Sequence, residues 1–428
     1  MSKVKMMRAR DKKKGDLAPR LRFPEFRDAG KWEMRYGNDL FDNIINKNQN
    51  FDLPILAITQ EHGAIPRSTI EYNVSVTEKS IENYKIVNIG DFIISLRSFQ
   101  GGIEYSHFCG LCSPAYIILR KKVILNDVFF KFFFKSEHLI SRLNVNIEGL
   151  RDGKMITYKQ FSEVLLPFPS PAEQQRIADC LSSLDERIAA ETSKLDRLKD
   201  HKKGLLKQLF PAEGETLPQL RFPEFGNSGK WQKIALGDIC DIITGYTFPE
   251  CLQGKIHGLY PFCKVSDISK AVSEHGGLLD RALNYVGDDE LSILKAKPLP
   301  VGTTVFAKIG EALRLNRRAI TTVECLIDNN AVGIKAKSKK STDYFLYTLS
   351  QLIDLSEYCG GAVPAVNKTV LENISVVIPT SYEQQRIADC LSSLDELIAS
   401  QTQKIDLLKD HKKGLMQQLF PRIDEVLA

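Results

Sequence analysis

Two tryptophans, Trp32 and Trp231, are all that this 428-residue chain has. No apolar run approaches the ~18 residues that a membrane helix needs. The first fifteen residues carry charge with no apolar core behind them, so no secretory leader is expected and the cytoplasm is the compartment implied. Nine cysteines, odd in number and scattered, exclude a disulfide framework. Cys109 and Cys112 form a lone CxxC without a second pair or a histidine pair, read as two small buried hydrophobes rather than a metal site. Catalytic signatures are also missing: there is no GxxxxGK[ST] phosphate loop, no HExxH, no Asn-Pro-Pro-aromatic tetrapeptide and no Glu-x-Lys. Nothing in the chain requires it to be an enzyme.

Charge of one sign is scarce too, since 58 Lys+Arg against 53 Asp+Glu give only +5. Residues 1–20 alone hold eight basic and two acidic side chains, a net of +6, so the other 408 residues sum to −1. That basic extension reads as a solvated arm or a non-specific phosphate contact. Any nucleic-acid site in the folded part must come from local clustering.

What the chain has in abundance is itself. LRFPEF followed by Gly-Lys-Trp occurs at Leu21 and again at Leu220, and each tryptophan belongs to one copy. A longer block runs from Glu173 to Pro211 and recurs from Glu383 to Pro421, with EQQRIADCLSSLDE, LKDHKKGL and QLFP intact in both. Residues 33–170 and 232–380 share an order of elements but hardly any residues. The expected organisation is a basic extension (1–20), a first body (21–170), a central helix (171–211), a linker (212–219), a second body (220–380) and a C-terminal helix (381–428).

Ser170-Pro171-Ala172-Glu173 and Thr380-Ser381-Tyr382-Glu383 are capping boxes that open the two helices. Ile177, Leu181, Leu184, Ile188, Leu195 and Leu198 alternate spacings of three and four with one interruption, and Ile387, Leu391, Leu394, Ile398, Ile405 and Leu408 match them. This is a coiled-coil seam, interrupted at Glu191 and Lys202 and at Gln401 and Lys412, where polar residues fix register. About 38 residues make a helix of about 57 Å. Internal duplication favours a pseudo-two-fold arrangement with the helices antiparallel, as a ruler or as a plain stabilising hairpin. Gln174, Gln175, Arg176 and Asp179, with their copies, are candidate partner surfaces on the outer faces. His201 and His411 sit among lysines and read as surface residues.

The fold class expected is α/β: two mixed α/β domains in tandem, each followed by a long helix. In the first body, strands at Val87–Arg97 and Ser113–Arg120 flank a polar loop. In the second, strands at Val301–Ile309 and Ala319–Leu326 flank the equivalent loop. Amphipathic helices follow near Asn126–Leu143 and Thr342–Tyr358, and each body closes on an apolar strand. From Lys308 to Arg318 the net charge is +3. Arg and Asn or Gln are suited to bidentate contacts with G and A edges. The candidate DNA-binding residues are therefore Lys308, Arg314, Asn316, Arg317 and Arg318, with Arg97, Ser98 and Gln100 in the first body. The Lys335–Lys340 run is suited to phosphate or only to water.

These features together resemble one family, the DNA specificity (S) subunits of type I restriction-modification systems. The resemblance spans Leu21 to Pro421, carried by the two doubled blocks and by GDFIISLRSFQGGIEYS in the first body. It implies two target-recognition domains that each read one part of a split double-stranded DNA sequence, separated by antiparallel helices that set the gap. It implies no cofactor in this chain. Two modification subunits would carry S-adenosylmethionine and methylate adenine, and restriction subunits would supply cleavage and translocation driven by ATP with magnesium. A coiled-coil scaffold without base readout and a DNA enzyme with a diverged site are the rival readings. The basic extension before Leu21 falls outside the family pattern.

Overall fold

The computed structural model describes residues 18–46, 52–70, 81–96, 98–145, 156–359 and 364–421. The basic extension up to residue 17 and Arg97 lie outside these. The chain folds as two units, residues 1–190 with 406–428 and residues 191–405, so the boundaries fall inside the long helices.

In the first unit a four-stranded antiparallel sheet has the order Phe41–Ile44, Ile117–Lys121, Phe92–Ile94, Glu104–Tyr105. Leu56–Thr59 pairs with Gly63–Pro66 as a hairpin, and Glu33–Tyr36 pairs with Leu165–Phe168. The aromatic run Phe129 to Phe134 supplies the core, with Phe129, Phe130, Phe133 and Phe134 fully buried among Phe41, Phe92 and Phe161. The single helix expected over Asn126–Leu143 is two, Asp127–Phe133 and Glu137–Val145. The break at Phe134–Ser136 lets the Phe134 carbonyl accept from the Ile103 amide. Gly102, at φ 83°, fits there because a Cβ would lie 2.3 Å from that carbonyl oxygen.

In the second unit the main sheet has the order Cys240–Thr244, Ala331–Ala336, Thr304–Ala307, Ala319–Thr321, Leu278–Leu279, with the last pair parallel. A smaller sheet joins Tyr285–Val286, Tyr260–Cys263 and Leu326–Ile327. Thr342 caps the helix Asp343–Gln351 by accepting from the Phe345 amide, and a separate 3-10 turn, Leu355–Tyr358, ends the segment expected to be one helix.

The long helices are Pro171–Leu209 and Ser381–Leu419. Ser170 and Thr380 cap them through the Glu173 and Glu383 amides, but the glutamate carboxylates do not complete the expected boxes. Arg22 takes Glu173 with two bonds of 2.7 Å, and Arg221 takes Glu383 in the same way. Bidentate pairing of a buried carboxylate outweighs a second bond at the cap, and it raises both arginine pKa values. The same arginines bind the Gly30 and Gly229 carbonyls, which explains why LRFPEF and Gly-Lys-Trp travel together.

Trp32 and Trp231 are both buried, and Trp231 Nε1 donates to Glu383 at 3.2 Å. QLFP is the other half of each joint. Phe420 packs edge-on against Phe129 and Phe133 in the first unit, while Phe210 packs against Trp231 and Phe345 in the second. Each core is thus closed by the C-terminal end of a long helix: the first by the end of the second helix, the second by the end of the first.

Within the second unit the helices run antiparallel, since Gln401 meets Glu191 while Asp395 meets Lys202. Gln401 Nε2 donates to the Glu191 carboxylate at 2.8 Å and to its carbonyl at 2.9 Å, and Lys404 pairs with the same carboxylate at 2.7 Å. Glu191 and Gln401 occupy equivalent positions of the repeat and are both buried. Asp395 also accepts from the Tyr344 hydroxyl, and burial with that carboxylate pushes the Tyr344 pKa up. The first unit holds the equivalent pair, Lys412 with Asp185. Along the seam Ile177, Leu181, Leu195, Ile387, Leu391 and Ile405 are buried, whereas Leu184, Ile188, Leu198, Leu394, Ile398 and Leu408 are half-buried. Ile177 and Leu181 belong to the core of the first body, and Ile387 and Leu391 to that of the second, so this end of each seam also anchors its own body.

Candidate nucleic-acid interface

The Lys308–Arg318 loop of the second body turns at Gly310, φ 77°, into the short helix Glu311–Arg314. Arg314 is exposed and pairs with Glu311 at 3.2 Å, while Lys308, Asn316 and Arg317 are half-buried. Asn316 sits in the left-handed region at φ 49°.

Arg318 is not available to a base. It is buried, and its guanidinium lies 4.4 Å from the centre of the Phe306 ring. It donates to Asn316 Oδ1 at 2.8 Å and to the Ile353 and Arg317 carbonyls. Burial lowers its pKa to about 10. Arg318 therefore holds the loop that presents Arg314 and Arg317. A sequence shows its charge but not the ring beneath it.

In the first body the expected polar loop contains a turn of helix, Ser98–Gly101. Ser98 is also inside: its Oγ accepts from the Ser95 amide at 2.8 Å, fixing the turn from within. Gln100 is exposed. Of the Lys335–Lys340 run, Lys335 is held by Asp343 at 2.5 Å and Lys337 by the Gly237 carbonyl, leaving Lys339 and Lys340 exposed. Cys112 is buried as expected of a small hydrophobe, but Cys109 is exposed.

The outer helix face also differs from expectation. Gln174 is buried, accepting from the Asn126 amide and donating to the Pro169 carbonyl. Gln384 is likewise buried. Gln175, Arg176 and Asp179 are exposed, although Arg176 pairs with Glu25 and lies over Phe23. His201 and His411 are exposed.

One group that sequence reasoning missed is Glu104, a buried carboxyl beside the turn of the first body. Its Oε1 binds Lys135 at 2.5 Å, and Lys135 also donates to the Gln60 and Gly101 carbonyls, tying three segments together. Glu104 Oε2 is buried with no hydrogen-bond partner, a situation that costs about 1–3 kcal/mol. Burial, opposed by Lys135, pushes the Glu104 pKa up to about 7. Its pairing across 31 residues leaves no local pattern to read.

Two mixed α/β domains on duplicated helices match the family profile described as the type I restriction modification DNA specificity domain, which fits residues 30–200 and again 228–410. The chain belongs to this family. It is a DNA specificity subunit and not the catalytic component of such a system. The chain is 25% identical over 425 residues to a putative type I restriction enzyme MjaX specificity subunit of Methanocaldococcus jannaschii, covering 91% of this chain and 92% of that protein. It is 23% identical to the MjaVIII specificity subunit of the same organism, covering 94% and 93%. The fold is similar to that of a type I S subunit from M. genitalium, with a TM-score of 0.55 at 15% identity, covering 95% of this chain and 99% of that one. A chain from a study of type I R-M complex assembly and conformational transition gives a TM-score of 0.56 at 17% identity, covering 91% and 97%. Among the described residues no helix is long and apolar enough to cross a membrane.

Proposed function

We propose that each body reads one half of a split duplex DNA target and that the paired helices fix the gap between the halves. The observation that carries this reading is the contrast between frame and body. The arginine–glutamate clamps, the phenylalanine plugs and the lysine–aspartate pairs recur residue for residue, while the bodies they hold differ in sequence and in strand number, the main sheet having four strands in the first and five in the second. Identical frames suit two copies of one partner, and unlike bodies suit two different half-sites. In the second body Arg314 and Arg317 are the candidate base readers, with Arg318 and Asn316 positioning them.

The partners on this reading are two modification subunits, which carry S-adenosylmethionine, and restriction subunits, which use ATP and magnesium. The near-neutral bodies leave much of the phosphate binding to those partners. Replacing Arg314 and Arg317 together with alanine tests the assignment. Each bidentate base contact is worth about 1–3 kcal/mol, so methylation of the target by the complex should fall by roughly tenfold or more with the fold intact. Unchanged methylation at the same motif would remove these two residues from the readout.

A further inference from the structure

Beside the turn that carries Ser98 and Gln100, the first body has a cleft of about 900 Å³, bounded by the Leu56–Thr59 and Gly63–Pro66 hairpin on one side and by Ser95 and Leu96 on the other. Its walls are partly apolar, from Ile58, Ile65 and Leu96. Glu104 is part of its lining, and the side chain is 2% exposed with Oε2 unpartnered. Leu96, 52% exposed, stands at the edge as an apolar group with no core role.

We propose that this cleft takes an adenine or a cytosine extruded from the duplex, with Glu104 Oε2 accepting from its exocyclic amine and Leu96 occupying the space the base leaves. The inference rests on the reading of the first body as a DNA half-site reader. Three features select this ligand. Among the described residues two carboxylates, Glu61 and Glu104, line the cleft, and the Lys135 ammonium bound to Glu104 is already shared with two carbonyls, which favours a neutral hydrogen-bond donor over a phosphate. A carboxylate oxygen without a donor calls for a ligand that brings one, and such a donor favours the ionised form of this carboxyl, whose pKa burial raises to about 7. An atom this deeply buried is beyond the edge of a base still stacked in a groove, so the base must leave the stack, as apolar wedges at a kinked step allow.

The test uses the full chain assembled with its modification subunits. Methylation mapping first gives the target of the wild type. Duplexes then carry 2-aminopurine beside each adenine or cytosine of the first half-site in turn. A several-fold rise in fluorescence is expected beside one base other than the methylated adenine, and Leu96→Ala should abolish that rise. Glu104→Gln puts an amide donor where the free acceptor stood, so the mapped motif should shift at that one position from an amino base towards a keto base, with the second half-site unchanged. A rise only beside the methylated adenine overturns the proposal, as does a wild-type motif in Glu104→Gln. The fluorescence result needs no folded variant at Glu104. If the wild type gives no split motif at all, the half-site reading itself fails; a split motif with neither effect defeats the cleft alone.

Discussion

Phe420→Ala is expected to destabilise the first unit by about 3–5 kcal/mol, the range for truncating a buried aromatic, although residue 420 lies some 250 residues from the end of the first body in sequence. Phe420 is 1% exposed and makes edge contacts with Phe129 and Phe133 at 5.5 Å. It fills the first core together with Leu419. Phe210→Ala should do the same to the second unit, where Phe210 stacks on Phe345 at 5.4 Å and meets Trp231. The two tryptophans make the check direct, since Trp32 lies in one core and Trp231 in the other. With Trp231→Phe as the background, Trp32 fluorescence reports the first unit alone during denaturant unfolding. A large drop in midpoint for Phe420→Ala is the expected result. A midpoint within experimental scatter of the parent would mean that QLFP is not the plug it looks to be.

Deleting one heptad from each long helix, Lys194–Asp200 and Lys404–Asp410, should shorten the unspecified gap in the DNA target and leave both half-sites as they were. Seven residues span about 10.5 Å of helix, and DNA rises about 3.4 Å per base pair, so the gap should close by about three base pairs. A heptad is close to two turns, so the seam keeps its face with a drift of only about 20°. The deletion spares Glu191 with Gln401, Lys202 with Asp395 and Lys412 with Asp185, and removes Lys404, one of the partners of Glu191. Some stability is lost with Lys404, Leu195 and Ile405, but the surviving polar groups still specify an antiparallel register. Methylation mapping reads the outcome. An unaltered gap would contradict the ruler, and altered half-sites would mean that the helices shape the bodies.

The duplication, the two helices and their seam were legible because they repeat or keep a period, and neither property depends on tertiary context. The purpose of the repeated motifs was not. Arg22 and Glu173 are separated by 151 residues, and Arg221 and Glu383 by 162, so a capping box was the only local meaning available for either glutamate. The same limit applies at the readout loops. Arg318 and Ser98 have the chemistry of DNA-contacting residues, but Phe306 and the Ser95 amide draw them inside. Gln174 reads as an outer-face residue from its polarity alone, and the Asn126 amide and Pro169 carbonyl bury it. The split of the Asn126–Leu143 segment follows from the demand of Ile103 for the Phe134 carbonyl, which no helical periodicity encodes.

Single-molecule methylation mapping tests the central claim most directly, with the chain expressed alongside its modification subunits, first intact and then with residues 232–380 replaced by the second body of a relative. The account predicts a motif of two specified halves around an unspecified gap, of which the exchange alters one half and leaves the other half intact. An undivided motif, or a change in both halves, would contradict it.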